Sequence, residues 1–343
     1  MEIPLYKIYW DEEDLKAVVD VLISGTNWAI GSSVEEFEQT IANYVGREYA
    51  LVFNSGTSAL HALLIAYGIN EKDEVIVPSF TFIATANAPV FVGATPVFAD
   101  IEERTLGLDP KDVEDKITKK TKAIIAVHFA GCACEIKELR KIADKYNLIL
   151  IEDAAEAMGA KIDGEMVGTF GDATMFSFCQ NKTITTGDGG AITTNDKDIY
   201  EKLKLIRSHG GRTGFGYNFR LCNILSALGL SQLRKINMLT EMRRINADYM
   251  ISQGVGKPPP ENRFHTYQMF TIQSDNRDAL KKKLADNGIA SKVYFEPIHL
   301  TDFYKGKKGD LPITEKISKK ILTLPMYPRL NPEEMDYIIK CFN

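Results

Sequence analysis

Short apolar runs alternate with helix-like segments through the first two thirds of this 343-residue chain. The runs are Tyr49–Phe53, Glu74–Val77, Thr95–Ala99, Lys122–Val127, Leu148–Glu152, Ala173–Phe178 and Gly190–Thr193. Several are continuously apolar rather than alternating, the pattern of strands covered on both faces. Segments of helical spacing lie between them, among them Thr57–Tyr67 and Ile136–Tyr146. The alternation predicts an α/β unit built on a mainly parallel sheet. Ligands of such sheets sit beyond the carboxyl ends of the strands, so the residues just after each run are the ones to read for chemistry.

The rhythm breaks after the long amphipathic stretch Asn223–Arg244. The segment Gly254–Asn262 contains Pro258, Pro259 and Pro260 and reads as a rigid connection. Beyond it the pattern predicts a strand (Thr266–Ile272), a helix (Arg277–Asn287), a second strand (Ser291–Tyr294) and a last helix (Pro332–Cys341), enough for a small α+β unit. We place the division at 237/238, giving a large domain over 1–237 and a small one over 238–343. The length agrees, since domains average roughly 150 residues.

Composition changes this picture little: 45% hydrophobic, 25% charged and 10% aromatic residues are ordinary for a globular chain. A net charge of −5 argues against a nucleic-acid binder driven by phosphate attraction. The cysteines, Cys132, Cys134, Cys179, Cys222 and Cys341, are odd in number and fit no disulfide framework, as expected of reduced thiols in the cytoplasm. The C-x-C of Cys132 and Cys134 lacks the second pair a structural metal site needs, and no metal is expected. The N-terminal MEIPLYKIYWDEEDLK has neither an apolar run nor a basic leader, and no stretch has the length of a membrane span. A soluble, cytoplasmic protein is expected.

Three constellations carry chemistry. In FNSGTSALHALLIAYG (53–68) a strand ends, a Gly–Thr–Ser turn follows and an apolar helix starts. Its first N–H groups and the hydroxyls of Thr57 and Ser58 suit a phosphate, although Ser and Thr also serve there as plain caps. In LILIEDAAEAMGA (148–160) a buried strand delivers Glu152 and Asp153 at its carboxyl end, where unpaired carboxylates are costly. In GDATMFSFCQNKTITTGDGGAITT (171–194) a strand presents Ser177, and five residues later Lys182 enters a Thr- and Gly-rich turn. The glycines let backbone approach a ligand closely, and a desolvated lysine beside a cationic ring attacks carbonyls. A phosphate cup, a carboxylate and an amine that attacks an aldehyde together describe a pyridoxal 5'-phosphate site. The glycines do not form a nucleotide loop: there is no G-x-x-x-x-G-K-[ST], and Gly214–Gly216 does not follow a strand.

Ordered motifs along nearly the whole chain (NSGTSALHALL, DEVIVPSFTFIATANA, VGATPVFADI, IEDAAEAMGA, GTFGDATMFSF, NKTITTGDGG, GYNFRLCNILSALGL and LPMYP) resemble the DegT/DnrJ/EryC1/StrS sugar aminotransferases of the fold-type I pyridoxal-phosphate enzymes. The resemblance implies a large domain with a seven-stranded, mainly parallel sheet, a small C-terminal domain, and a homodimer with shared active sites. It implies that Lys182 carries the cofactor and moves the proton at the substrate carbon, and that Asp153 faces the pyridine nitrogen. By the same matching Phe82 stacks on the ring, Gly56, Thr57 and Ser177 bind the phosphate, and Asn218 reaches it from the neighbouring subunit. Arg220 is close enough in sequence to help hold an acidic ligand. Glu156 stands on the ring-hydroxyl side, where relatives often have Gln or His, and Cys179 stands where many have His. Relatives that lost the lysine act as dehydratases; Lys182 argues against that branch. The expected reaction takes an amine from a donor such as glutamate to a nucleotide-linked 4-keto-6-deoxyhexose at carbon 4, because NKTITTGDGG with EDAAEA looks like the 4-aminotransferases. Trp28, Ile30 and His299 are the candidates for the sugar pocket, with an apolar loop plug and a capped or core histidine as the plainer readings. A free cyclitol or other small ketone as acceptor, or a regulatory protein that keeps the cofactor, are the alternatives.

Overall fold

The computed structural model describes residues 1–212, 214–305 and 310–342. All seven apolar runs are strands of one sheet. They are β1 (Tyr49–Phe53), β2 (Glu74–Pro78), β3 (Thr95–Ala99), β4 (Thr121–Val127), β5 (Ile149–Asp153), β8 (Ala173–Ser177) and β9 (Gly190–Thr194), in the order β1-β9-β8-β5-β4-β2-β3. Only β9 runs against its neighbours. Two short pairs, β6 (Lys161–Ile162) with β7 (Glu165–Met166), and β10 (Arg263–Phe264) with β6, lie outside it.

Successive strand residues point to opposite faces, and here both faces are apolar. Ala50, Val52, Ile124, Ala126, Leu150 and Phe176 join one core with α2 (Ser32–Val45), α6 (Ile136–Tyr146) and α8 (Asn223–Arg234). Leu51, Phe53, Ala123, Ile125, Ile151 and Met175 join the other with α3 (Gly56–Ala66) and α7 (Lys197–Arg207). Helices on both faces are why these strands read as unbroken apolar runs. The remaining large-unit helices are α1 (Glu12–Ile23), α4 (Ile83–Phe91) and α5 (Pro110–Asp115).

The C-terminal part has its own core of Ala247, Phe270, Ile272, Leu284, Leu322 and Leu324. It is built from α9 (Ile236–Ser252), β11 (Phe270–Gln273), α10 (Arg277–Asp286), α11 (Pro312–Ser318), β12 (Ile321–Leu324) and α12 (Pro332–Phe342). The stretch Asn223–Arg244 comprises α8 and the start of α9, which meet at Lys235, whose ammonium lies 2.5 and 2.8 Å from Asp11 and Asp14. One expectation is corrected. Ser291–Tyr294 is no strand: Lys292 makes a single bridge to Thr323, and the partner of β11 is β12. The first residues also dock here. Ile3 is buried, its N–H donates to Gly288 O at 2.9 Å, and its carbonyl accepts Ala290 N–H at 2.9 Å.

Candidate active site

Because six strands run the same way, their carboxyl ends share one edge, and the residues the sequence singles out collect there. Asp153 ends β5 with 4% of its surface exposed. Thr85 Oγ1 donates to its Oδ2 at 2.8 Å, and the Ala155 N–H to Oδ1 at 3.2 Å. Burial pushes the Asp153 carboxyl up; Thr85 and Ala155 pull it down, Glu156 raises it again and Lys182 opposes that. Its neighbour Glu152 turns to the other face of the sheet and is fully buried. There it meets His128 Nε2 at 3.0 Å and accepts the N–H groups of Gly168, Phe170 and Gly171 at 2.9, 2.9 and 2.7 Å. Burial pushes Glu152 up as well, but His128 and these N–H groups outweigh it and its pKa is lowered. So the two adjacent acids differ: Glu152 is consumed by scaffold, whereas Asp153 is buried and makes no ion pair among the described residues.

Lys182 lies in the turn after β8. Its Nζ is 3.5 Å from Glu156 Oε1, and both side chains are largely covered. Glu156 Oε2 accepts the Ala130 N–H at 2.8 Å. Ser177 ends β8 against the start of α3: a Cβ on Gly56 would stand 3.4 Å from Ser177 Cβ and 3.0 Å from Met175 Sδ. Ser55 caps α3 by accepting the Ser58 N–H at 3.1 Å, while Gly56 and Thr57 begin the first turn, whose N–H groups lie outside the helical ladder. Phe82, just before α4, keeps 59% of its surface exposed, with Phe295 the ring beside it at 6.2 Å between centroids. A Cβ on Gly190 would lie 2.6 Å from Gly56 N, so this glycine lets β9 pass the start of α3.

The other candidates spread out. Asn218 is exposed, and its carbonyl accepts from Asn54 Nδ2 at 3.3 Å beside a shallow hollow shared with Thr57 and His61. Arg220 bridges to Phe53 at the end of β1. Trp28 and Ile30 are 49% and 68% exposed, on a loop whose Trp28 and Ala29 carbonyls accept the first N–H groups of α8 at 3.3 Å. His299 is 7% exposed, with Nδ1 2.6 Å from Ser79 Oγ and Nε2 3.4 Å from Glu315. Those contacts hold the 298–300 turn against the residue that follows β2. Thr85 was missed, although it stands in FTFIATANA three residues after Phe82. Among the described residues no group of three or more His, Cys, Asp or Glu could hold a metal, and no helix is long and apolar enough to cross a membrane.

Residues 9–343 match the DegT/DnrJ/EryC1/StrS aminotransferase family. The chain belongs to that family. It is a pyridoxal-phosphate-dependent aminotransferase. A GDP-perosamine synthase of Escherichia coli O157:H7 is 37% identical, covering 99% of this chain and 98% of the relative. Among solved structures, Helicobacter pylori PseC, an aminotransferase involved in the biosynthesis of pseudoaminic acid, superposes with a TM-score of 0.94 at 32% identity, over 100% of this chain and 98% of that one. A putative sugar aminotransferase of Streptococcus pneumoniae, Spr1654 in its PLP form, does so with a TM-score of 0.94 at 28% identity, over 100% and 98%. The residues present fit the cofactor: a buried carboxyl raised by burial, a covered lysine, an uncovered aromatic face and a helix start beside Ser177 surround one edge.

Proposed function

We propose that this aminotransferase moves an amine from glutamate to carbon 4 of a nucleotide-linked 4-keto-6-deoxyhexose, in the cytoplasm, as a homodimer with shared sites. The observation that carries the chemistry is that a buried Asp153 and a largely covered Lys182 both follow strand ends on one edge of the sheet. The likeness to the GDP-perosamine synthase supports the sugar class. When bound, pyridoxal phosphate supplies an aldehyde carbon that exchanges oxygen for the amine and a ring that takes up electron density.

The chain's own residues do the rest. Asp153 holds a proton on the ring nitrogen, since a buried carboxylate is stabilised by a cation in contact with it. Lys182 Nζ anchors the cofactor, then takes and returns the proton at the reacting carbon of the substrate. Phe82 would cover the ring. Gly56 and Thr57, at the start of α3, would bind the phosphate together with Ser177. Glu156 would stand on the ring-hydroxyl side. Asn218 would serve the phosphate of the neighbouring subunit, and Arg220, Trp28 and Ile30 would border the sugar side. The large unit (1–237) supplies the cofactor residues, and the small unit (238–343) closes the site.

The test has two arms. Borohydride treatment of the loaded protein followed by peptide mapping attaches the cofactor to Lys182; a label on another lysine removes the assignment. A screen of nucleotide-linked keto sugars, with NMR of the product, reads the position of the new amine, and amination at carbon 3 refutes the regiochemistry alone.

A further inference from the structure

The turn that carries Lys182 is gripped from the C-terminal unit by a single side chain. Gln268, 6% exposed, donates from Nε2 to the Asn181 carbonyl at 2.5 Å and accepts the Thr183 hydroxyl on Oε1 at 3.0 Å. These are the two residues flanking Lys182. An amide side chain is the group that can do both at once, one end donating and the other accepting.

Gln268 is itself fixed. Arg243, 2% exposed, donates through its Nη1 to the carbonyls of Tyr267, Gln268 and Met326 at 3.1, 3.4 and 3.1 Å. The next N–H, of Met269, donates to Ala130 O at 3.1 Å. Ala130 has a left-handed backbone (φ 58°) and presents its own N–H to Glu156. Gly131 makes room for this approach, because a Cβ there would stand 2.4 Å from Thr266 Oγ1 and 3.1 Å from the nitrogens of Tyr267 and Gln268. The contacts close into a ring: Lys182 Nζ to Glu156, Glu156 to Ala130, Ala130 to the 268–269 segment, and Gln268 back to both neighbours of Lys182.

We propose that Gln268 is a positioning residue for Lys182, aiming its amine by clamping the turn on both sides and tying it to the carboxylate that faces it. Movement of segment 266–269 therefore moves the amine. The assignment rests on the reading of Lys182 as the cofactor-bearing residue.

Hydrogen exchange on the cofactor-free protein tests the clamp. Gln268→Met keeps length and bulk and removes both hydrogen bonds. Exchange across 179–186 should rise about tenfold, as expected for the loss of buried hydrogen bonds. Thr183→Val removes one bond and should give a smaller rise. In both variants β5 should stay as protected as in the wild type, and cofactor loading at Lys182, followed by borohydride trapping, should slow. Unchanged exchange across 179–186 with β5 intact overturns the proposal. If β5 loses protection in Gln268→Met, Thr183→Val decides by the same two outcomes. A wild-type borohydride label on a different lysine overturns the role given to Lys182, and the exchange data still report whether the clamp exists.

Discussion

Glu156 faces Lys182 with one carboxylate oxygen, 3.5 Å from Nζ, and holds the backbone N–H of Ala130 with the other at 2.8 Å. The two bonds separate two roles for one side chain. Gln at this position retains an acceptor for Ala130 and gives up the charge; Ala gives up both and leaves a part-buried N–H unpaired. A lost partner of this kind costs about 1–3 kcal/mol, so Glu156→Gln should keep turnover within about tenfold of wild type. Glu156→Ala should lose roughly 100-fold. Steady-state rates of the two variants check this, and equal losses would show that the charge alone matters.

Replacing Asp153 by Asn should separate function from stability. Breaking a buried charged pair costs about 3–5 kcal/mol, which predicts a rate loss of roughly 100- to 1,000-fold or more in the loaded enzyme. The cofactor-free protein should behave in the opposite sense. Burial raises the Asp153 carboxyl above its ordinary value of 3.8. A raised acid favours folding below that value, and the benefit is lost as pH climbs through the folded pKa. Cofactor-free wild type should therefore lose stability relative to Asp153→Asn from about pH 4 upward, and the Asn variant should melt higher at neutral pH. Calorimetry across pH 4–8, without cofactor, reads the difference; parallel curves would mean Asp153 is not strained by its burial.

The proposed shared sites make a statistical prediction. Lys182→Ala and Asn218→Ala homodimers should each be nearly inactive. After subunit exchange, half of the dimers are mixed and each has one intact site, restoring about a quarter of wild-type activity. An active monomer in sedimentation, or no recovery after demonstrated exchange, refutes the role given to Asn218.

His299→Ala should act on the scaffold. It strips Ser79 and Glu315 of a buried partner, at about 1–3 kcal/mol. Melting temperature should fall, and both half-reactions should change together. A selective rise in sugar KM with an unchanged donor half-reaction would return His299 to the substrate pocket.

The seven strands were legible because helices cover the sheet on both sides, leaving unbroken apolar runs that end at Phe53, Asp153 and Ser177, where the chemistry begins. The small unit was harder. Its strand partner Ile321–Leu324 is four residues long, and Ser291–Tyr294, equally short, forms one bridge. Lys235, where α8 meets α9, pairs with Asp11 and Asp14, more than 200 positions away, and helical periodicity carries no trace of such partners. Spacing does not reveal Ser79 and Glu315 on either side of the His299 ring. Gln268 stood out in no motif; its meaning comes from reaching a turn 85 residues earlier in the chain.

The strand order has a consequence for synthesis. β1 is the first strand made, yet its sheet partner is β9, with Tyr49 opposite Thr194 and Phe53 opposite Gly190. At about 5–20 residues per second, the apolar Tyr49–Phe53 segment waits roughly 7–30 s on the ribosome for its neighbour to be translated. The cup between Gly56 and Ser177 cannot be shaped earlier, because Gly190 passes directly against the start of α3. A nascent chain stalled before β9 would therefore expose a strand edge to chaperones or to other chains.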